Sequence, residues 1–174
     1  MTTTVDGNSG GTAVTTTTLP TLQGQVLQVV NYQTGALASG TTTMPTDNTI
    51  PQNTEGTEFM TLAITPRSAT SKLRIDVVVF ASPSAQEWVN VALFQDSTAN
   101  ALAATELFFT NNNAAGPICF THYMTSGTTS STTFKVRAGM GTGGTTSFNG
   151  TSPGPTRRFG GVAASSITIT EVVP

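Results

Sequence analysis

The chain has 174 residues, a formal net charge of −2 and only 9% charged residues, against ~25% in an ordinary globular domain. The length fits one domain with one core. The charge argues against a nucleic-acid partner, which requires a basic stripe, and leaves few acids and bases for catalysis. No window approaches the ~18 apolar residues of a membrane span. We therefore expect a non-enzymatic protein without cofactor, metal, nucleic-acid or membrane partner.

Residues 1–22 are rich in threonine and glycine. Such a segment buries too little apolar surface to offset its ordering entropy, so we expect it to be disordered in isolation. We expect an extended N-terminal arm, which either lies against a neighbouring subunit or another protein, or serves as a passive linker. The candidate attachment residues of this arm are Thr15, Thr16, Thr17, Thr18, Leu19 and Pro20.

Residues 23–174 have apolar residues at a period of two, which predicts strands. The segment 101–109 is also predicted as a strand, although its propensities suit a short helix too. The predicted strands cover residues 26–30, 59–64, 73–80, 88–94, 101–109, 118–124, 133–138 and 167–171. Glycine, proline, asparagine and serine mark the breaks at 82–84, 111–113, 126–127 and 139–144. This pattern predicts an all-β fold, an antiparallel β-sandwich of the jelly-roll type.

Two of these strands are apolar on both faces. A single sandwich needs only one apolar face on each sheet, so the second face of each strand requires cover. The residues concerned are Val78 and Phe80 on one strand, and Trp88 and Phe94 on the next. We expect a homo-oligomer that buries them at a subunit interface. The rival explanation is cover by segment 36–52 of the same chain.

A basic doublet, Arg157 and Arg158, precedes Phe159 between a Pro/Gly-rich loop and the last strand. In a functional interpretation, the arginines pair with carboxylates of a neighbouring subunit or capsid protein, and Phe159 is the apolar anchor. The alternative is a solvated loop end.

The segment GMGTGG at 139–144 matches a dinucleotide-binding fingerprint. The residues after it include two prolines and Asn149-Gly150, so they cannot form the helix that would hold a pyrophosphate. We interpret the segment as a hairpin loop and candidate contact surface.

Three further residues belong to types that often have a chemical role, but we expect a structural role for each. The single cysteine, Cys119, is expected to be a small buried hydrophobe. The single histidine, His122, is expected to make a structural hydrogen bond. Asn149 begins an N-glycosylation acceptor pattern, for which a tight turn is the better account.

A carbohydrate-binding module is the second class of function that the composition allows. Exposed asparagine, threonine and glutamine could bind a host-surface glycan together with an aromatic face. The candidate aromatic residues are Trp88, Tyr123 and Tyr32. The sequence leaves open whether these groups converge.

Four segments carry a resemblance to a known family. They read GQVLQVV (24–30), IPQNTEGTE (50–58), ITPRSATSKL (64–73) and FGGVAASSITITEV (159–172). They resemble a β-rich module of tail fibres and other virion surface proteins of tailed phages. The resemblance covers most of residues 24–174 and includes no catalytic signature. It implies a homotrimeric β-sandwich on the virion surface.

A tail fibre of that kind would carry an attachment domain and a long shaft before this module, and 22 residues supply neither. If Met1 is the natural start, the resemblance favours a capsid decoration, cement or head-fibre subunit, attached through its arm to the major capsid protein or another virion protein. If the chain is a fragment, it favours the distal, receptor-binding domain of a tail fibre that recognises a host glycan.

Overall fold

The computed structural model of the protein describes residues 24–112, 114–152 and 156–174. The candidate attachment residues Thr15 to Thr18, Leu19 and Pro20 lie outside these ranges, as does most of the expected arm. The described residues form twelve strands and one 3₁₀ turn, Phe159–Gly161. The strands are β1 Val26–Thr34, β2 Ala38–Gly40, β3 Thr57–Ile64, β4 Lys72–Pro83, β5 Glu87–Gln95, β6 Ala103–Phe109, β7 Gly116–Thr125, β8 Thr132–Met140, β9 Thr146–Phe148, β10 Gly150–Thr151, β11 Thr156–Arg157 and β12 Ser165–Val172.

The eight long strands form two antiparallel sheets. The first sheet has the order β1-β12-β4-β7, with β9 and β2 added at one end of β4, and the second has the order β3-β8-β5-β6. When the eight long strands are numbered 1 to 8 along the chain, these orders become 1-8-3-6 and 2-7-4-5. This is the strand order of a jelly roll, with two Greek keys. The predicted antiparallel β-sandwich is confirmed.

The hydrophobic core lies between the two sheets. Successive side chains on a strand point to opposite faces, so the period-two pattern sends every second residue inward. The central strands contribute Leu73, Ile75, Val77 and Val79 from β4, Val89, Val91 and Leu93 from β5, and Phe134 and Val136 from β8, all buried. Burying each of these side chains contributes roughly 1.5–3 kcal/mol, so the alternation is the main source of the fold's stability.

Several strand boundaries differ from the prediction. The predicted break at 82–84 is wrong, because β4 continues to Pro83 and pairs there with β9. The segment 101–109 contains a strand, as predicted. The GMGTGG segment begins inside β8, and the loop after Met140 leads to β9 in the first sheet, so it is an inter-sheet connection instead of a hairpin.

The outer face of β5 is covered by the segment that follows β2. Met44 packs there against Ala92 and Phe94 in a small second cluster. Phe94 is only 1% exposed, so it has no surface for a partner, and the expectation that a subunit interface buries it is wrong. For this residue, cover by segment 36–52 is the correct explanation. No helix within the described ranges is long and apolar enough to cross a membrane.

A glycine permits this cover. A Cβ atom built on Gly139 in β8 would lie 2.6 Å from the backbone oxygen of Thr42 and 2.9 Å from the backbone nitrogen of Met44. Contacts this short are prohibitive for carbon, so only glycine lets the covering segment approach the second sheet. Met44 is then fixed by a 3.0 Å hydrogen bond from its backbone nitrogen to the carbonyl oxygen of Met140.

Candidate functional site

Four of the predicted interface residues meet at one place on the first sheet. Phe80 at the outer face of β4 joins Arg157, Arg158 and Phe159 around an open recess of about 450 Å³, with Ala115 completing its wall. We call this surface the arginine recess. The fold therefore brings Phe80 next to a segment almost eighty residues away in the sequence, a contact that no sequence pattern indicated.

Phe159 is the most unusual residue of the recess. The residue is 78% exposed, and its backbone has φ 49, followed by Gly160 at φ 67 and Gly161 at φ 97. A bulky residue at positive φ is strained by about 1–3 kcal/mol. Val162, next in the chain, is also largely exposed. Strain and apolar exposure at the same position are typical of a contact site.

The two arginines are available for contacts. Neither Arg157 nor Arg158 forms an ion pair in the described parts of the chain, where the ion pairs are Arg74 with Asp76 and Arg137 with Glu58. Both arginines are exposed. The recess therefore offers two unpaired guanidinium groups beside an exposed aromatic ring.

Val78 lies on the same outer face as Phe80, two residues before it, and is half-buried. Its neighbour across the β4–β7 pair is Cys119. Cys119 is exposed, so the expectation that it is a buried hydrophobe is wrong. The reason is the alternation along β7, which turns Ile118 into the core and Cys119 outward.

Trp88 lies on the other sheet, and so belongs to a different surface. It packs against Phe108 across the β5–β6 pair, with ring centroids 5.1 Å apart and planes tilted by 58°. Both rings remain partly exposed. Tyr123 is on β7 and Tyr32 on the edge strand β1, so the three aromatic residues suggested for a glycan site do not converge. Phe108 was missed, although the period-two pattern of its strand placed it outward.

A groove of about 310 Å³ lies on the outer face of the second sheet, beside the Trp88–Phe108 pair. We call it the asparagine groove, after Asn90 at its floor. Asn90 is 7% exposed. Its Nδ2 donates hydrogen bonds to the carbonyl oxygen of Met44 at 2.6 Å and to Thr46 Oγ1 at 2.8 Å. Its Oδ1 has no hydrogen-bond partner among the residues that the structure describes.

Two carboxylates line the same groove. Asp47 Oδ1 accepts hydrogen bonds from the backbone nitrogen of Thr49 at 2.7 Å and from its hydroxyl at 2.6 Å. The hydroxyl and then the backbone N–H hold the pKa of Asp47 below its ordinary value. Glu106 is exposed and forms no ion pair with any described residue. Asp47 is therefore ionised at neutral pH and keeps its second oxygen for a ligand.

His122 is another residue that the sequence singled out. It is half-buried beside Phe120 and Met124, and burial lowers its pKa. The expected hydrogen bond from its ring is not found in the described part of the chain. Across the same ranges, no group of three or more His, Cys, Asp or Glu side chains could hold a metal ion.

Asn149 is fully buried, so it is not accessible for glycosylation. Its backbone has φ 58, where the chain bends between β9 and β10, two strands that do not pair with each other. Its Nδ2 donates to the carbonyl oxygens of Thr34 at 2.8 Å and Ala36 at 3.0 Å, while its Oδ1 accepts from Ser165 Oγ at 2.7 Å. Asn149 therefore ties three segments together.

The sequence matches no protein-family model and no curated protein. Among solved structures, it is similar to the sugar-binding EclA C-terminal domain, with 17% identity over 82% of this chain and 86% of that one, at a TM-score of 0.39. It is also similar to a Podospora anserina GH26-CBM35 β-(1,4)-mannanase, with 17% identity over 84% of this chain and 28% of that one, at a TM-score of 0.35. An infectious bursal disease virus structure shows 13% identity over 84% of this chain and 37% of that one, at a TM-score of 0.39. None of these likenesses assigns the chain to a family.

Proposed function

We propose that this protein is a non-enzymatic structural subunit on the surface of a tailed-phage virion. It decorates or cements the capsid as a homotrimer, and its N-terminal arm attaches it to the major capsid protein or another virion protein. The observation that best supports this proposal is the arginine recess, which combines an exposed, strained aromatic residue with two arginines that form no ion pair with any described residue.

The recess has the composition of a protein-protein contact. Aromatic residues and arginine are enriched where interfaces gain most of their binding energy. Fully burying a phenylalanine side chain contributes roughly 1.5–3 kcal/mol, and Phe159 obtains little of this within one chain. Guanidinium groups pair with carboxylates in a planar, two-bond geometry, so an acidic side chain of a second subunit is a suitable partner for Arg157 or Arg158.

The virion location is supported by the resemblance of four segments to surface modules of tailed phages, and by the β-sandwich that this resemblance implies. The sparse charge also fits, because an assembly built on apolar contacts and backbone hydrogen bonds does not depend on ionic strength.

The test of assembly uses the full chain in dilute buffer. Light scattering coupled to size exclusion should give three times the 17.9 kDa chain mass. Phe159→Gly removes the ring but suits the positive φ, so this variant should fold and dissociate. Tyr123→Gly, which removes an exposed ring on another strand, is the matched control and should stay assembled. A monodisperse monomer of the unmodified chain would contradict the proposal.

The location on the particle requires a separate experiment. Gold labelling of the protein on intact virions, read by electron microscopy, should mark the capsid. If the label were found at the fibre tips alone, capsid decoration would be wrong. The second candidate function would then be favoured, in which the protein is the receptor-binding domain of a tail fibre that recognises a host glycan. The observation that favours this candidate is the Trp88–Phe108 pair beside the asparagine groove.

A further inference from the structure

We infer that the asparagine groove is a binding site for an uncharged saccharide, with the Trp88–Phe108 pair as the surface on which a sugar ring rests. This inference deepens the second candidate function and rests on it. It is independent of the arginine recess, which lies on the other sheet.

The aromatic pair and the groove adjoin each other because of strand register. On the outer face of β5 and β6, Trp88 is opposite Phe108 and, two residues further along, Asn90 is opposite Glu106. Residues two apart on a strand lie roughly 7 Å apart, about the width of a sugar ring. A ring stacked on Trp88 or Phe108 therefore places its neighbouring sugar unit over Asn90 and Glu106.

The floor of the groove contains an acceptor without a partner. Asn90 is almost fully buried, and both hydrogens of its amide are used on Met44 and Thr46, while its Oδ1 is unpaired within the described residues. Leaving a buried acceptor unpaired is unfavourable, and native proteins rarely do so. Because Oδ1 is itself shielded from solvent, a ligand hydroxyl that donates to it requires a small shift of the covering segment around Met44.

The rim adds acceptors of the type that bind sugar hydroxyls. Glu106 and the second oxygen of Asp47 are carboxylate oxygens, and hydrogen bonds to charged acceptors are the stronger kind. The volume of about 310 Å³ is at the lower end of the ~300–1,000 Å³ range of small-molecule pockets. A short oligosaccharide, entering by one or two units, fits this size.

The charge of the groove selects among saccharides. Among the described residues that line it, two are carboxylates and none is a lysine, arginine or histidine. A sialic acid, uronic acid or sugar phosphate would bring like charges together, which is unfavourable at short range. The ligand class is therefore a neutral glycan, rich in hydroxyl donors.

The chain supplies its own reporter, because Trp88 is the only tryptophan. The full-length protein would first be applied to an array of neutral and acidic oligosaccharides. The neutral oligosaccharides that bind would then be titrated to ~20 mM, above the ~1 mM range of weak specific binding, while Trp88 fluorescence is recorded. We expect a saturable change in emission with neutral glycans and none with acidic ones.

Substitutions in and around the asparagine groove test whether the saccharide binds there. Glu106→Gln keeps the shape of an exposed side chain and should weaken binding at least tenfold, as expected for the loss of a charged acceptor. Phe108→Ala should have a similar effect through the stacking surface. Tyr123→Ala, on β7 of the other sheet and 65% exposed, is the matched control and should bind normally.

Three outcomes would overturn the inference: no binding to any neutral glycan, binding confined to acidic glycans, or binding that Glu106→Gln and Phe108→Ala leave intact. The assembly test measures mass on the unmodified chain, Phe159→Gly and Tyr123→Gly, and neither Phe159 nor Tyr123 lines the asparagine groove. A failure of saccharide binding is therefore distinguishable from a failure of the proposed assembly.

Discussion

Ser71 and Glu171, one hundred residues apart in the chain, are joined by a 2.5 Å hydrogen bond from Ser71 Oγ to Glu171 Oε1 in the interior of the protein. Glu171 is 0% exposed. Its carboxylate also accepts from Gln28 Nε2 at 2.5 Å and from the backbone nitrogens of Arg67 at 2.8 Å and Ser68 at 3.3 Å. No ion pair among the described residues includes Glu171, so neutral dipoles alone stabilise its charge. This cluster ties β12 to β1 and to the segment before β4.

The Glu171 cluster predicts acid sensitivity. Burial raises the pKa of Glu171, but hydrogen bonds from Ser71, Gln28 and two backbone N–H groups outweigh burial and lower it from the ordinary 4.5. Because the folded-state pKa is below the unfolded one, the stabilisation is complete above pH ~4.5 and is lost as the pH falls through the folded-state value. Calorimetry from pH 7 to pH 3 should show a melting temperature that declines below pH ~4.5.

In Glu171→Gln, the melting temperature should fall less steeply with pH. At pH 7 the free energy of unfolding should be lower by about 1–3 kcal/mol, because buried donors that now bond to the carboxylate lose an acceptor. Asp47 is an exposed carboxylate whose pKa is also lowered. Asp47→Asn is therefore the control that shows how much an exposed carboxylate contributes to the decline of the melting temperature with falling pH. If the melting temperature of Glu171→Gln declined below pH ~4.5 as steeply as that of the unmodified protein, Glu171 would not be the source of the acid sensitivity.

Gly139 should tolerate no side chain. Its Cβ position is 2.6 Å from the backbone oxygen of Thr42, and backbone atoms cannot move aside as a flexible side chain can. We expect Gly139→Ala to cost about 1–3 kcal/mol, the usual range for overpacking, measured by urea denaturation. Gly116→Ala is the matched control in another strand, because its nearest atom would be at 3.9 Å, an ordinary contact. Equal effects of the two substitutions would contradict the close approach.

Met44 should be necessary for the cover of β5. Truncating a fully buried methionine leaves a cavity, so Met44→Ala should lower the free energy of unfolding by about 2–5 kcal/mol. Ile50→Ala removes an exposed side chain from the same segment and should change stability little. In urea denaturation, a small effect of Met44→Ala would mean that the segment does not seal Phe94, and the subunit-interface explanation of Phe94 would return.

The eight long strands of this fold could be predicted because alternation is a local signal, whereas the short strands β2, β9, β10 and β11 were not predicted. Ile75 and Val91 are inward-facing in the sequence pattern and buried in the structure. Cover of Phe94 by segment 36–52 was one of two alternatives, and the sequence could not decide between them, because Met44 belongs to a segment without any period. Cys119 was misplaced for a related reason: in an apolar triplet, the pattern alone does not decide which residues face inward.

The main residues of the arginine recess were predictable one by one, but their arrangement was not. The sequence singled out Phe80 and Phe159 separately, and only the path of the chain after β9 brings them together. The sequence grouped Trp88 with Phe80, yet their strands β5 and β4, although consecutive in the chain, lie in opposite sheets. Asn90 gave no signal, because an unpaired buried oxygen is a property of the packed structure.

The proposed assembly should resist salt. At 1 M ionic strength the screening length is about 3 Å, which removes most of the attraction between exposed charges but leaves apolar contacts intact. If Phe159 is the anchor and the arginines add specificity, the oligomer should persist in 1 M NaCl, whereas Arg157→Ala/Arg158→Ala should weaken assembly mainly at low salt. Sedimentation velocity of both proteins at 0.05 M and 1 M NaCl measures this. Dissociation of the unmodified oligomer by salt alone would show that charge pairs, instead of the Phe159 contact, hold the subunits together.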